Sequence, residues 1–220
     1  MEGFNIGGKT CYIYENKQAG ICLLQPVGNH DLVILDREVE LIKELAPAVP
    51  FTFIAILIDD WNHELSPWET PAVFGKADFG SGANDTLLFI TETLLKKIDI
   101  NADHIYLGGY SLAGLFSLWA AYQTDIFSGI AAVSPSVWFP GWESYMEAQS
   151  IKTPEVYLSL GDKEEKTRNK TMAAVGNNIR RQHELLRSAV SRCTLEWNPG
   201  NHFTSPELRV AKGFAWLLRK

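Results

Sequence analysis

The sequence lacks the features of a membrane or exported protein. Its longest purely apolar run lies within residues 51–58, whereas a membrane-spanning helix needs roughly 20 such residues. The amino terminus has neither the basic start nor the apolar core of a signal peptide. The cysteines are few, namely Cys11, Cys22 and Cys193, and we interpret them as buried reduced thiols. These absences predict a cytoplasmic protein with no membrane partner.

Basic residues are also scarce. Lysine and arginine number 20 against 26 acidic residues, which gives a formal net charge of −6. Such a chain repels phosphate backbones, so we expect no nucleic-acid partner. No cluster of cysteine, histidine and acidic residues has the spacing of metal ligands, and residues 80–82 lack the lysine of a phosphate-binding loop. We therefore expect neither a metal nor another cofactor.

The composition that is present is that of an ordinary globular protein. Hydrophobic residues make up 46% of the 220 residues and charged residues 21%. A chain of this size can bury about 70% of the surface that it exposes when unfolded, and its length suits one α/β domain. We expect residues 1–220 to form a single domain, and the sequence does not indicate its oligomeric state.

Strand-like and helix-like patterns alternate along the chain. Runs of β-forming residues predict strands at residues 10–15, 21–25, 51–58, 104–107, 130–133, 156–160 and 193–197. Apolar residues at helical spacing predict helices near residues 35–45, 87–98, 112–122, 172–186 and 206–218, with Asn84-Asp85 and Ser205 as candidate caps. The first two strands flank a polar link of hairpin length, residues 16–20. The alternation predicts a mostly parallel sheet with helices on both faces.

Residues 59–83 interrupt this alternation. They show no sustained period but contain the aromatic residues Trp61, Trp68, Phe74 and Phe79. A loop this long within a compact domain is usually functional or disordered, and this one is too aromatic to be disordered. It starts where a buried strand ends, which is the side of a parallel sheet where ligands bind. We expect it to form a wall of the active site, without a large separate lid.

A candidate nucleophile lies between a predicted strand and a predicted helix. Residues 109–114 read Gly-Tyr-Ser-Leu-Ala-Gly, with Ser111 flanked at two positions before and after by the small residues Gly109 and Ala113. This placement is typical of a nucleophile elbow, a sharp turn that raises a serine oxygen above the sheet. The simpler interpretation is a turn in which Ser111 only caps the helix, and the strand-turn-helix context favours the catalytic one.

A nucleophilic serine needs a base, and in such folds the order along the chain is serine, acid, histidine. The sequence has five histidines. His104 opens a strand at the far end from the elbow and His183 lies within a long helix, while His30 and His63 precede the serine. His202 follows the last predicted strand, which is where the order requires the base.

The acid is expected just after the strand at residues 156–160. Its role is to orient the imidazole and stabilise the imidazolium, and either carboxylate type can do so. Asp162, Glu164 and Glu165 are all candidates. Glu164 is preferred because it lies three residues after the glycine that ends the strand.

The tetrahedral intermediate needs two backbone N–H donors for its oxyanion. The residue after the nucleophile, Leu112, supplies the first. The second is expected from the loop after an early strand, where Pro26 has no N–H. Val27 is therefore the preferred donor, with Gly28 as the alternative.

Four segments together resemble the putative esterase family of α/β-hydrolases. They are residues 109–114, 134–139, 161–164 and 200–203. That family includes esterase D, enterochelin esterases, feruloyl esterases and the mycolyl transferases of the antigen 85 type, and the resemblance extends from about residue 22 to the end.

The resemblance implies an α/β-hydrolase fold with Ser111 as nucleophile, His202 as base and Glu164 as acid, and with Val27 and Leu112 as oxyanion donors. The chain departs from the pattern at Pro26, where many hydrolases have glycine. It is also shorter than S-formylglutathione hydrolases, which argues against that activity.

Aromatic residues near the predicted carboxyl ends of strands suggest a substrate pocket. We expect Trp61, Trp68, Tyr110 and Trp138 to line it. The prediction is thus a serine hydrolase that cleaves the carboxylic ester of a small-molecule substrate through an acyl-enzyme. The alternatives are a thioesterase or acyltransferase with the same triad, or a non-catalytic binding protein with the same fold.

Overall fold

The structure is a computed structural model that describes residues 1–16, 18–98 and 102–219. Eight strands within these residues form one sheet in the order β1-β2-β4-β3-β5-β6-β7-β8. The strands are β1 (Glu2–Ile6), β2 (Lys9–Tyr14), β3 (Ile21–Val27), β4 (Thr52–Leu57), β5 (His104–Tyr110), β6 (Gly129–Val133), β7 (Glu155–Gly161) and β8 (Arg192–Asn198). Strands β3 to β8 are parallel to one another, so their carboxyl ends lie along one edge of the sheet, and β4 also pairs antiparallel with β2.

The amino-terminal hairpin differs from the prediction. Strands β2 and β3 do not pair, because β4 lies between them, and β2 pairs with β1 instead. The turn of this hairpin is Gly7-Gly8, where both residues have positive φ angles (57° and 86°). A two-residue turn of this kind matches the twist of the strands it joins. The predicted link at residues 16–20 includes Lys17, which lies outside the described residues.

The helices agree with the predicted positions at most sites. They are α1 (Leu35–Leu45), α2 (Trp61–Glu64), α3 (Ala83–Leu88), a π-helical segment (Phe89–Leu94), α4 (Leu95–Lys97), α5 (Leu112–Gln123), α6 (Trp142–Ala148), α7 (Lys170–Ala173), α8 (Val175–Ala189) and α9 (Pro206–Leu218). The short helices α2 and α6 were not predicted, and the helix expected at 172–186 is divided into α7 and α8.

Neither predicted cap functions as one. Helix α3 starts at Ala83, so Asn84 and Asp85 lie inside its first turn rather than before it. Ser205 precedes α9, but its side chain makes no capping hydrogen bond and its backbone is left-handed.

The two faces of the sheet carry separate hydrophobic cores. Successive residues of β3 contribute to opposite sides, Leu23 to the core beneath α1 and α9, and Leu24 to the core beneath α3, α5 and α8. Because a strand alternates its side chains, a continuous apolar run is what a strand buried on both faces requires. Among the described helices, none is both long and apolar enough to cross a bilayer.

Candidate active site

Ser111 occupies a sharp turn between β5 and α5. Its backbone angles, φ 59° and ψ −120°, are ones that serine rarely adopts. The turn is held by a hydrogen bond from the Ser111 amide to the carbonyl of Val133 (3.1 Å). A side chain at Gly109 would place its Cβ 2.7 Å from the backbone carbon and the Cβ of Ala113. Small residues at these two positions therefore let the helix pass close to the strand.

His202 lies in the loop after β8, with its Nε2 atom 3.0 Å from the Oγ atom of Ser111. The hydroxyl of Tyr110 donates a hydrogen bond to the His202 carbonyl (2.7 Å), and the two rings lie 5.1 Å apart. The loop turns at Gly200, whose φ of 101° favours glycine. The His202 side chain is 30% exposed, so the base is open to the cavity while its backbone is anchored.

Glu164 contacts the other ring nitrogen of His202, with Oε2 at 2.7 Å from Nδ1. Its Oε1 atom accepts hydrogen bonds from the amide of Gly161 (2.7 Å) and the hydroxyl of Ser134 (2.8 Å). Burial raises the pKa of the Glu164 carboxyl, but the hydrogen bonds and charge interaction with His202, Gly161 and Ser134 outweigh it and hold the pKa below its usual value. Glu164 is therefore ionised at neutral pH.

The other two candidate acids are engaged elsewhere. Asp162 accepts a hydrogen bond from the amide of Gly200 (2.8 Å). Glu165 forms a two-point ion pair with Arg180, with N–O distances of 2.8 and 3.0 Å. Of the three acids, Glu164 is the one that the structure brings to the imidazole.

The two predicted oxyanion segments meet Ser111 differently. Leu112 lines the cavity beside Ser111. In the loop after β3, the amide of Gly28 already donates to the Asp31 carboxylate (2.8 Å), so Gly28 is not free to act as the alternative donor. Val27 is fully buried, pairs with Leu57 of β4 and is not among the described residues that line the cavity, so its role as the second donor stays a prediction.

A cavity of about 960 Å³ opens above Ser111. Trp61, Tyr110 and Trp138, three of the four residues expected in the substrate pocket, line this cavity. Its aromatic wall also contains a triangle of edge-to-face rings with centroids 5.8 to 6.1 Å apart, formed by Phe74, Phe79 and Trp138. The loop at 59–83 thus contributes several of the aromatic side chains that face the nucleophile.

Trp68 departs from its predicted place in the pocket. It is absent from the described residues that line the cavity. Its indole N–H instead donates to the Pro140 carbonyl (2.8 Å), and its ring packs on Phe139, Trp142 and Tyr145. Trp68 therefore packs the loop at 59–83 against the rest of the domain and does not face the cavity.

Arg209 is a charged residue of the site that was not predicted from the sequence. Arg209 of α9 is only 2% exposed and forms an ion pair with Glu164 (3.0 Å). A signal was present, because Arg209 is in phase with the buried residues Gly213 and Leu217 along the helix. An arginine on the buried face of a helix needs a buried partner.

Within the described part of the chain, no group of three or more histidine, cysteine or acidic side chains could hold a metal ion. The arrangement offers a hydrogen-bonded chain from Ser111 through His202 to Glu164. Serine, imidazole and carboxylate are connected in the order that transfers a proton away from the serine hydroxyl.

Comparison with known families identifies the chain. The model of the family described as Putative esterase matches residues 30–202. The chain belongs to this family. The resemblance inferred from the motifs is thus confirmed, and this esterase is a carboxylic ester hydrolase. No curated protein sequence matches the chain.

Solved structures resemble the esterase over most of its length. Siderophore hydrolase EstA from Aspergillus nidulans is 17% identical with a TM-score of 0.74, over 96% of this chain and 89% of that one. An IroE-like serine hydrolase from Shewanella oneidensis is 16% identical with a TM-score of 0.79, over 96% and 76%. The enterobactin esterase FES from Shigella flexneri is 14% identical with a TM-score of 0.65, over 95% and 55%.

At these identities the structural likeness concerns the fold. It confirms the predicted α/β-hydrolase fold, with a mostly parallel sheet between two layers of helices. The described residues contain no separate lid domain, and the loop at 59–83 borders the cavity instead.

Proposed function

We propose that the esterase cleaves a carboxylic ester through an acyl-enzyme on Ser111. The observation that carries the proposal is the continuous hydrogen-bonded chain from Ser111 through His202 to Glu164, at the floor of an aromatic cavity. The strained turn at Ser111 adds support, because backbone strain of this kind is found where a nucleophile must project from a sheet.

The first half of the reaction forms the acyl-enzyme. The Oγ atom of Ser111 attacks the ester carbonyl carbon while Nε2 of His202 accepts the hydroxyl proton. The tetrahedral oxyanion accepts a hydrogen bond from the amide of Leu112, and Val27 is the second donor predicted from the sequence. The carbon–oxygen bond to the alcohol then breaks, and the alcohol leaves with the proton from Nε2.

The second half releases the acid. A water molecule gives its proton to Nε2 of His202 and attacks the acyl carbon, and Ser111 departs with that proton. Both halves require that Nε2 of His202 carry no proton at the start, in the resting enzyme and in the acyl-enzyme. The bond between Nδ1 and the ionised Glu164 supports this tautomer, because it keeps the proton of the neutral ring on Nδ1.

The cavity supports a bulky ester with an apolar or aromatic group. A volume of about 960 Å³ is near the upper end of common ligand pockets, and a short acyl group would leave most of it empty. The rings of Phe74, Phe79 and Trp138 can pack edge to face against an aromatic ring of a ligand. Two of the similar structures are named a siderophore hydrolase and an enterobactin esterase, which supports ester hydrolysis by this fold.

Hydrolysis of a series of p-nitrophenyl esters, from acetate to decanoate, tests the proposal. We expect Ser111→Ala and His202→Ala to reduce kcat by roughly 10⁴- to 10⁶-fold in folded protein. The first removes the nucleophile and the second removes the base, and the proposed reaction needs both. Ser188→Ala and His183→Ala are matched controls in α8, remote from the cavity lining, and should keep wild-type activity.

The chain-length profile reports on the cavity, and we expect longer acyl chains to have the higher kcat/KM. Wild-type turnover no greater than that of Ser111→Ala on every ester of the series, and on p-nitrophenyl benzoate added to it, would refute the proposal.

A further inference from the structure

Arg209 places a buried positive charge directly behind Glu164. Its Nη1 atom lies 3.0 Å from Oε1 of Glu164, 3.2 Å from the hydroxyl of Ser134 and 3.1 Å from that of Tyr110. Oε1 is the carboxylate oxygen that does not contact His202. The guanidinium thus holds the acid from the side opposite the imidazole.

The second nitrogen of the same guanidinium reaches the loop of the base. Nη2 donates hydrogen bonds to the carbonyls of Pro199 and Asn201, each at 3.0 Å. These residues lie on either side of the Gly200 turn, and Asn201 immediately precedes His202. One rigid planar group therefore joins the turn that carries the acid to the loop that carries the base.

This arrangement demands arginine rather than a generic cation. A buried guanidinium is costly unless its donors are satisfied, and here five acceptors surround it. Its fork donates in two fixed directions, whereas a lysine ammonium is a single point on a flexible stem. Lysine at this position could contact the carboxylate or the loop carbonyls, but not both in the same geometry.

We propose that Arg209 is a positioning residue that keeps the Glu164 carboxylate and the His202 loop in register. Its effect on turnover rests on the proposed function, whereas its effect on the bond between Glu164 and His202 does not. It contacts neither Ser111 nor the reacting ester, and it acts through the acid and the base.

The test compares Arg209→Met and Arg209→Lys with Lys212→Met. Lys212 is three residues further along α9 and pairs with Glu196 and Asn198, so its loss removes a cation from the same helix without touching the site. We expect kcat to fall roughly 10- to 100-fold in Arg209→Met with little change in KM, since misplacement of a catalytic group by about 1 Å has an effect of this size. Arg209→Lys should lie between Arg209→Met and the wild type, and Lys212→Met should match the wild type.

A second readout does not depend on turnover. The proton on Nδ1 of His202, bonded to a carboxylate at 2.7 Å, should give a low-field proton resonance in NMR spectra of the wild type. We expect Arg209→Met to lose or shift this resonance and Lys212→Met to retain it. Arg209→Ala leaves a cavity of guanidinium shape, and added guanidinium at low millimolar concentration should restore both the resonance and kcat in part.

The outcomes separate the two proposals. A folded Arg209→Met enzyme with wild-type kcat and an unshifted resonance would overturn the role of Arg209. If Arg209→Met does not fold, Arg209→Lys and the guanidinium titration of Arg209→Ala decide the question in the same terms. An altered resonance in a protein whose wild type shows no Ser111-dependent turnover would refute the esterase mechanism while the positioning role stands.

Discussion

At the scale of single residues, Ser111 is held in a conformation that glycine adopts more readily than serine. Strain of this kind costs about 1 to 3 kcal/mol, and removal of Cβ relieves it. Glycine also loosens the unfolded chain, which offsets about 0.4 to 1 kcal/mol of the gain. We therefore expect Ser111→Gly to be more stable than Ser111→Ala by about 1 kcal/mol, although both are inactive, as measured by denaturant unfolding.

A matched pair in an ordinary helix gives the opposite order. Ser188 lies in α8, where glycine is less favourable than alanine by about 1 kcal/mol. Ser188→Gly should thus be less stable than Ser188→Ala. Equal stability of the two Ser111 variants, with the expected order at Ser188, would show that the turn holds no strain.

The candidate site could be predicted from the sequence where its residues follow the ends of strands. Ser111, Glu164 and His202 each lie just beyond a strand, and strand ends are visible in the apolar pattern. Arg209 contacts the acid of the site but lies within a helix rather than after a strand. Its position on the buried face of α9 is therefore the one sequence signal of its role. Trp68 was misplaced because the direction of a loop side chain depends on tertiary contacts that no local pattern encodes.

At the scale of elements, strands β2 to β8 were predicted, whereas β1 and the antiparallel pairing of β2 were not. Strands β4 and β7 are buried on both faces and appear as apolar runs, whereas β1 is short and largely exposed. The pairing of β2 was predicted wrongly because the polar link at residues 16–20 resembles a hairpin loop. Strand β4 inserts between β2 and β3. This pairing joins residues far apart in the sequence, so no local pattern predicts it.

We expect the loop at 59–83 to select the substrate through the exposed ring of Phe74. Phe74 is 50% exposed and packs on Phe79 and Trp138 at the cavity. We expect Phe74→Ala to raise KM for aromatic and long-chain esters about 10-fold and to change acetate hydrolysis little, because a lost aromatic contact costs about 1.4 kcal/mol. Stability should change little, since the ring is half exposed.

Ile126→Ala is the matched control for this experiment. Ile126 is 40% exposed and is not among the cavity-lining residues. It should leave the KM of every ester unchanged. An equal rise in KM for acetate and for the long-chain esters in Phe74→Ala would contradict the assignment of Phe74 to substrate selection.

At the scale of the whole molecule, a buried carboxyl makes stability depend on pH. Glu38 in α1 is fully buried beside Asp31 and Glu207, and burial, followed by these like charges, raises its pKa well above the usual value. The folded state therefore retains a proton that the unfolded state releases. Stability is highest below the unfolded pKa of Glu38 and is lost as the pH rises toward its folded pKa.

We expect Glu38→Gln to remove this loss. The variant should gain free energy of unfolding relative to the wild type as the pH rises above about 4.5, by at most about 1.4 kcal/mol per pH unit. Denaturant unfolding at several pH values measures the difference. Glu40→Gln, on the exposed side of the same helix, should show no such trend, and a constant difference between Glu38→Gln and the wild type would contradict the assignment.

Denaturant unfolding of the wild type also tests the number of domains. We propose that the chain is a single domain, because one sheet joins both hydrophobic cores. Fluorescence and circular dichroism should then report one common transition.

The active-site residues are divided along the chain. Ser111 precedes β6, whereas Glu164, His202 and Arg209 follow it. The segment at residues 149–153, between α6 and β7, is exposed at Gln149 and Ser150 and divides the chain into a part that holds the nucleophile and a part that holds the base and the acid. Fragments separated there would each be chemically silent. Because β6 and β7 are neighbours in the sheet, reassociation of the fragments would restore ester cleavage, and the enzyme could serve as a split reporter of the proximity of two fused proteins.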